Sequence, residues 1–375
     1  MREAPAALAG RLVSLDAFRG LTMASMVIVN NPGDWAHMYG PLKHAEWFGW
    51  TPTDLIFPFF LFIVGVSITL TRRSVGVRTI LSRTAKLIGL GLLLAGYPRF
   101  DPAVWRIPGV LQRIGLCYLA SALIYRSASR GGKASDARVV SVVAVAAFVA
   151  LVGYWVVLLA VPGASGVRFD LTPEGNVGAV VDRAVFGTHL WKKTWDPEGL
   201  LSSIPAIGST LLGVLAGVWI KGAGSPKRAA QGLLAAGLAA IAAGWCWGLV
   251  FPIGKNLWTS SYAVFAAGWA AVALSACVWL FDVAGWRRLA RPLVVMGTNA
   301  IALFVFSGWL AKTLIHLKTT GPDGALVSWH AAVYRTVFAP LASPVNASLL
   351  YSLVLLALLY AILWGMYRRG IFLRV

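Results

Sequence analysis

Charge is scarce in this chain, and acid scarcer still. Only 13% of its 375 residues are Asp, Glu, Lys or Arg, and 14 acidic residues stand against 33 basic ones. Soluble domains carry roughly 25% charged residues. With 58% of residues hydrophobic, the composition excludes an ordinary soluble domain and indicates a polytopic membrane protein. Cysteine is sparse as well. Cys117, Cys246 and Cys277 lie inside apolar runs and make no CxxC pair, which argues against a disulfide framework or a zinc knuckle. The chain has no HExxH, no Gly-rich nucleotide loop and no GxSxG elbow. His37 and His44 stand near Asp34 and Glu46, but without a compact ligand pattern no metal is expected. The N-terminal apolar stretch is interrupted by Asp16 and Arg19 and lacks a small-residue cleavage site, so no cleavable signal is expected.

What is present is apolar sequence in long runs. Ten spans are expected, at 13–30, 53–71, 80–97, 109–126, 139–160, 201–220, 229–250, 261–281, 293–315 and 346–366. The net charge of +19 does not indicate nucleic acid, because the basic residues fall in short clusters between spans. Twenty of the 33 Lys and Arg lie in alternate loops on one side. The positive-inside rule makes that side, with both termini, cytoplasmic. Most acidic residues and all five histidines (37, 44, 189, 316 and 330) map to the outer side or its boundary. The outer loops are the longer ones. In 161–200, the stretch Asn176 to Gly187 reads as a short amphipathic helix for the interface, with Val177, Val180, Val181 and Val185 on one side. A second such helix is expected around Trp329–Phe338. Seventeen tryptophans suit two interfacial aromatic belts. The expected fold is all-α, with residues 1–375 as one membrane domain.

Polar chemistry centres on Lys43 to Gly65. His44 and Glu46 sit among tryptophans at a membrane boundary, and an apolar helix follows. Thr51 suits its N-cap, Pro52 its first position and Asp54 its first turn. His44 exchanges protons near neutral pH. It could act as general base toward an attacking amine or hydroxyl, or as a transient acyl carrier. Asp54 either orients the imidazole or simply caps the helix. Asn30 and Asn31 either donate to an oxyanion or form the turn that ends span one. Asp16 and Arg19 are spaced to pair on one helical face. Arg113 lies inside span four, where a charge costs about 2.5–3.5 kcal/mol, so it is expected to face protein or water. Asn299 in span nine is either a helix–helix contact or part of a ligand channel. Trp191, Trp195, Asp196 and Glu198 put aromatics beside carboxylates, a combination that suits an aminated or sugar-like ligand or an aromatic belt.

Several stretches in series say more than any one of them. They are Ser14-Leu-Asp-Ala-Phe-Arg-Gly20, Met26-Val-Ile-Val-Asn30, His44-Ala-Glu-Trp47, Thr53-Asp-Leu-Ile-Phe-Pro58 and Ile107-Pro-Gly-Val-Leu-Gln-Arg-Ile-Gly115. Asp196-Pro-Glu-Gly-Leu200, Lys255-Asn-Leu-Trp258 and Tyr367-Arg-Arg-Gly-Ile-Phe372 continue the series. In this order the chain resembles the transmembrane acetyltransferase family typified by lysosomal heparan-α-glucosaminide N-acetyltransferase. The resemblance implies acetyl transfer from cytoplasmic acetyl-CoA to an amino sugar across the membrane. It also implies a catalytic role for His44, implicates Asn30 as the matching asparagine, and suggests a homodimer. The stretch from Asn30 to His44 is longer here than the family pattern. The family's N-terminal luminal region has no counterpart, so a bacterial plasma membrane is the expected location. Arg113, Asn299, Asp16 and Arg19 are the expected lining for the thioester arm of acetyl-CoA. The rival reading is a secondary transporter or flippase for a sugar-like or anionic solute, marked by a pair of broken helices in matching halves of the chain.

Overall fold

The computed structural model describes residues 12–71, 76–129, 136–320 and 324–373. Arg2, Glu3, Arg11, Arg72, Arg73, Arg130, Lys133, Asp323 and Arg374, which enter the orientation argument, lie outside them. The apolar runs fold as helices, because backbone that meets no water must satisfy its own hydrogen bonds. In order these are α1 (Val13–Asn30), α2 (Ile56–Leu70), α3 (Val77–Gly96), α4 (Val110–Ala128), α5 (Asp136–Ala160), α6 (Val177–Phe186) and α7 (Ser203–Gly222). Then come α8 (Pro226–Gly248), α9 (Ser260–Cys277), α10 (Arg287–Thr298), α11 (Ala300–His316), the single turn α12 (Trp329–Val333) and α13 (Pro344–Arg368). A 3₁₀ turn, Pro52–Leu55, leads into α2, and π-helical turns extend α9 and α12. Two short antiparallel strands, β1 (Lys318–Thr320) and β2 (Leu326–Ser328), make a hairpin that the sequence pattern does not announce.

A helix stands at each of the ten expected positions, but not all have the same composition. Seven are long and apolar enough to cross a membrane, and eight if a bent pair counts as one span. α1 and α4 are not among those seven; α1 carries Asp16 and Arg19, and α4 carries Arg113 and Arg126. The ninth expected span needs correction. Residues 293–315 are not one straight helix: α10 and α11 meet at Asn299 with a bend of 68°. Helices form at both places where the sequence leads one to expect interfacial ones. α6 is capped by Asn176, whose Oδ1 accepts from the Ala179 N–H at 2.8 Å, and α12 with its π-helical extension covers 329–338.

α2, α7 and α9 form the inner layer, with 56%, 56% and 61% of their apolar windows buried, whereas α3, α5, α8 and α13 each bury only 28%. The open faces of those outer helices are apolar. Along α5, Val145, Phe148, Val149 and Val156 are all at least half exposed, a surface suited to lipid and not to water. Small residues let the inner helices close on one another. A Cβ on Gly20 would lie 1.8 Å from the Leu293 carbonyl oxygen, and one on Gly65 2.0 Å from that of Thr210. α1 is thereby locked to α10, and α2 to α7. α1 also touches the Pro52–Leu55 turn, so one end of the bundle gathers the end of α1, the start of α2 and the loop that precedes it.

Candidate active site

Asp54 shows why the loop before α2 takes its shape. Its Oδ2 accepts from the backbone N–H groups of Thr51 and Ala45, each at 3.0 Å. The Thr51 hydroxyl donates to the Lys43 carbonyl at 2.6 Å. These bonds fold residues 43–51 back over the helix start. The remaining oxygen, Oδ1, lies 2.7 Å from His44 Nδ1. Asp54 therefore both caps the helix and orients the imidazole, so the two readings open at the level of sequence are one arrangement. The carboxylate is buried, with 1% of its side chain exposed, while the His44 ring is 45% exposed. With Nδ1–H given to Asp54, the lone pair on Nε2 is the ring's basic site. The backbone end of Asp54 is fixed too, since its carbonyl accepts from Tyr262 Oη at 2.6 Å.

A second loop, between α8 and α9, completes the group. Gly49 N–H donates to the Ile253 carbonyl at 2.7 Å, and Asn256 Nδ2 donates to the Glu46 carbonyl at 3.2 Å. This stitching delivers Lys255 Nζ to 3.0 Å from His44 Nδ1, 3.5 Å from Nε2 and 3.5 Å from Asp54 Oδ1. Burial holds the Lys255 ammonium below its ordinary range, against the attraction of Asp54 and Glu198. The turn ends at Trp258, which is left-handed at φ 50°. That conformation costs a non-glycine residue about 1–2 kcal/mol. The ring is fully buried, and its Nε1 donates to Ser209 Oγ at 3.1 Å, which holds the backbone there. Sequence reading took Lys255 only as part of a family-like stretch. The available signal was a lysine in a short Gly-Lys-Asn loop between two apolar spans.

The other expected site residues fall into two places. Arg113 belongs to the same end of the bundle. It is 1% exposed, its Nη2 donates to the Gly199 carbonyl at 2.9 Å and to Ser202 Oγ at 2.5 Å, and its guanidinium lies 5.1 Å over the Trp258 ring. As expected, it faces protein. Its Nε and Nη1 have no protein partner, donors that fit an oxygen-bearing group of a donor molecule. Asp16, Arg19 and Asn299 lie elsewhere. Arg19 pairs with Asp16 at 2.8 Å and donates to Ser67 Oγ at 2.9 Å. Ser67 is about 20 Å along the α2 run from Asp54, at 1.5 Å per residue. Asn299 is fully buried at the α10–α11 bend. Its Nδ2 donates to the Ile371 carbonyl at 3.1 Å, and its Oδ1 accepts from the Leu373 N–H at 3.0 Å. Asn30 is exposed at the end of α1, and no hydrogen bond joins it to His44 among the described residues. Asn31 closes that helix, donating to the Val27 carbonyl at 2.8 Å. His37 pairs with Asp34, at 2.7 Å, and not with His44.

Residues 161–200 lean over the same end. Trp47 Nε1 donates to the Leu171 carbonyl at 2.8 Å, and its ring meets Trp195 edge to face at 5.0 Å. Arg106 forks onto Asp196 at 2.6 and 2.8 Å, also contacts Glu198, and lies 5.0 Å over the exposed Trp191 ring. Asp182 accepts from the Leu200 N–H at 2.7 Å. Burial pushes its carboxyl up to about 6, helped by Asp196 and opposed by that N–H, Arg113 and Arg183. The raised value means that the folded state binds this proton more tightly than the unfolded chain, whose value is near 3.8. Stability linked to Asp182 is therefore full below pH 4 and is lost as pH rises through 6. The variant Asp182→Asn should melt higher than the parent above pH 6, with the advantage shrinking to nothing below pH 4. Thermal melts across pH 4–8 check this, and a constant difference between the two proteins would refute it.

With this geometry in place, comparison with known proteins is informative. The family model for the catalytic region of heparan-alpha-glucosaminide N-acetyltransferase matches residues 11–165. The human protein of that name is 30% identical over 364 residues, covering 80% of this chain and 53% of the human one. The mouse protein is 30% identical over 362 residues, covering 79% and 53%. The chain is similar to the heparan-alpha-glucosaminide N-acetyltransferase family over about 80% of its length. It spans about half the length of these curated relatives. The matched catalytic region holds His44, Asp54, Asn30 and Arg113, while Lys255 lies beyond it.

Proposed function

We propose that this protein is a membrane acetyltransferase that moves the acetyl group of acetyl-CoA to the amine of an amino sugar. The observation that carries the reading is the His44–Asp54 contact at 2.7 Å, at a half-exposed imidazole in a chain similar to this family. Asp54 fixes the ring, and Nε2 removes a proton from the acceptor amine as that amine attacks the thioester carbonyl. The same nitrogen serves equally as a transient acyl carrier, and both routes use the same residues. The two free donors of Arg113 suit the donor molecule's oxygens, and the exposed end of α1 offers Asn30 to the developing oxyanion. The basic loops support a cytoplasmic face opposite His44, and the proposal has acetyl-CoA enter from that face and the acceptor from the other, in a bacterial plasma membrane. Asp16, Arg19 and Asn299 belong to the cytoplasmic end of the path. A homodimer follows from the family resemblance alone.

The rival reading, a secondary transporter, draws on one observation: the 68° break at Asn299. Its expected mark is a second, matching break, and this pair is the one bent span among the described residues. Purified protein given labelled acetyl-CoA and glucosamine separates the two. Labelled N-acetylglucosamine supports the enzyme. Glucosamine uptake into vesicles without acetylation replaces it with the transporter.

A further inference from the structure

A general base and the amine it deprotonates must lie within about 2.6–3.2 Å of each other. One primary amine stands just outside that range of the basic nitrogen of His44, Nε2, and it belongs to the protein. Lys255 Nζ stands 3.0 Å from Nδ1 and 3.5 Å from Nε2. Its side chain is 18% exposed, so the amine borders the opening where an acceptor has to approach the ring. No other lysine among the described residues is hydrogen-bonded to this histidine. We propose that Lys255 is an internal acetyl acceptor: when no amino sugar occupies the site, its amine takes the acetyl group and the product closes the site. The inference rests on the acetyl-transfer reading above, since it needs acetyl-CoA to reach His44.

The chemistry balances without a further reagent. The thioester C–S bond breaks and a C–N bond to Nζ forms. The Lys255 ammonium gives up two protons, one to the departing thiolate and one through His44 Nε2 to solvent. Nothing is oxidised or reduced. Two forces act on the ammonium. The Asp54 carboxylate, 3.5 Å away, holds it charged and inert, while burial favours the free amine. The neutral amide that forms has lost the ion pair to Asp54 and carries extra bulk against the imidazole. An amide is stable where a thioester is not, so the modification ends turnover. An amino sugar bound at His44 competes for the same acetyl group and so protects the enzyme. The arrangement couples activity to acceptor supply.

The test uses the purified full-length protein, incubated with acetyl-CoA with or without glucosamine and then mapped by peptide mass spectrometry. Lys192 and Lys193 are exposed and report uncatalysed acetylation. Without glucosamine, Lys255 should gain one acetyl group at least roughly tenfold faster than those two, with transferase activity declining in step. Glucosamine should suppress the label, and His44→Ala should reduce it to the level of Lys192. The Lys255→Arg variant should show no time-dependent loss of activity during acceptor-free incubation. A protein that acetylates glucosamine while Lys255 labels no faster than Lys192 overturns this inference and leaves the enzyme reading standing. If neither glucosamine nor Lys255 is acetylated, both are overturned.

Discussion

Replacing His44 with alanine should lower acetyl transfer by about 10²–10⁴-fold, the usual contribution of a positioned general base, while acetyl-CoA still binds. The reason lies in how little else the ring does. Asp54 keeps its two backbone N–H donors without it, so the loop retains its main anchors. The ring is half exposed, and its removal opens no core cavity. The loss should therefore appear in kcat, with only a small change in melting temperature. Turnover assays beside equilibrium dialysis of labelled acetyl-CoA make the comparison. Unimpaired turnover in this variant would remove His44 from the mechanism, and loss of acetyl-CoA binding would make it a docking residue instead.

The Asp54→Asn variant should lose about 10²–10³-fold in kcat. Asparagine fills the same volume, but one of its two positions must be an NH₂. If the NH₂ faces His44 and Lys255, it meets two donors and the imidazole turns to its other tautomer. If it faces the other way, it meets the N–H groups of Ala45 and Thr51. Each charge-assisted hydrogen bond forfeited here is worth about 1.5–3 kcal/mol, so a lower melting temperature accompanies the loss. The decisive measurement is the double variant. Asp54 is argued to act through His44, so adding Asp54→Asn to His44→Ala should cost little further activity. Fully additive losses would show that Asp54 works independently of the ring.

Local periodicity and end signals carried most of the fold. Asn176 before an apolar-faced stretch gave α6, and Thr51-Pro52 gave the start of α2, because caps and faces are properties of neighbouring residues. The bend at Asn299 escaped because hydropathy along 293–315 stays high through a change of direction, and hydropathy has no direction. Asp54 was legible beside His44 because the two are ten residues apart and share one turn. Lys255 was not, because its separation of 211 positions from His44 is closed only by tertiary stitching between two loops. Arg113, Asp16, Arg19 and Asn299 read alike in sequence, as polar groups in apolar runs. In three dimensions they divide between the ends of the bundle, a distinction that depends on where each helix starts.

The buried amide of Asn299 also bears on how the molecule is made. It is satisfied by Ile371 and Leu373, 72 and 74 positions further along. A ribosome delivers those partners only after α11, α12 and α13 have been made. The corner between α10 and α11 thus gains these two bonds only once the segment after α13 docks on it. Synthesis order therefore ties the setting of this corner to the arrival of α13 and the residues that follow it.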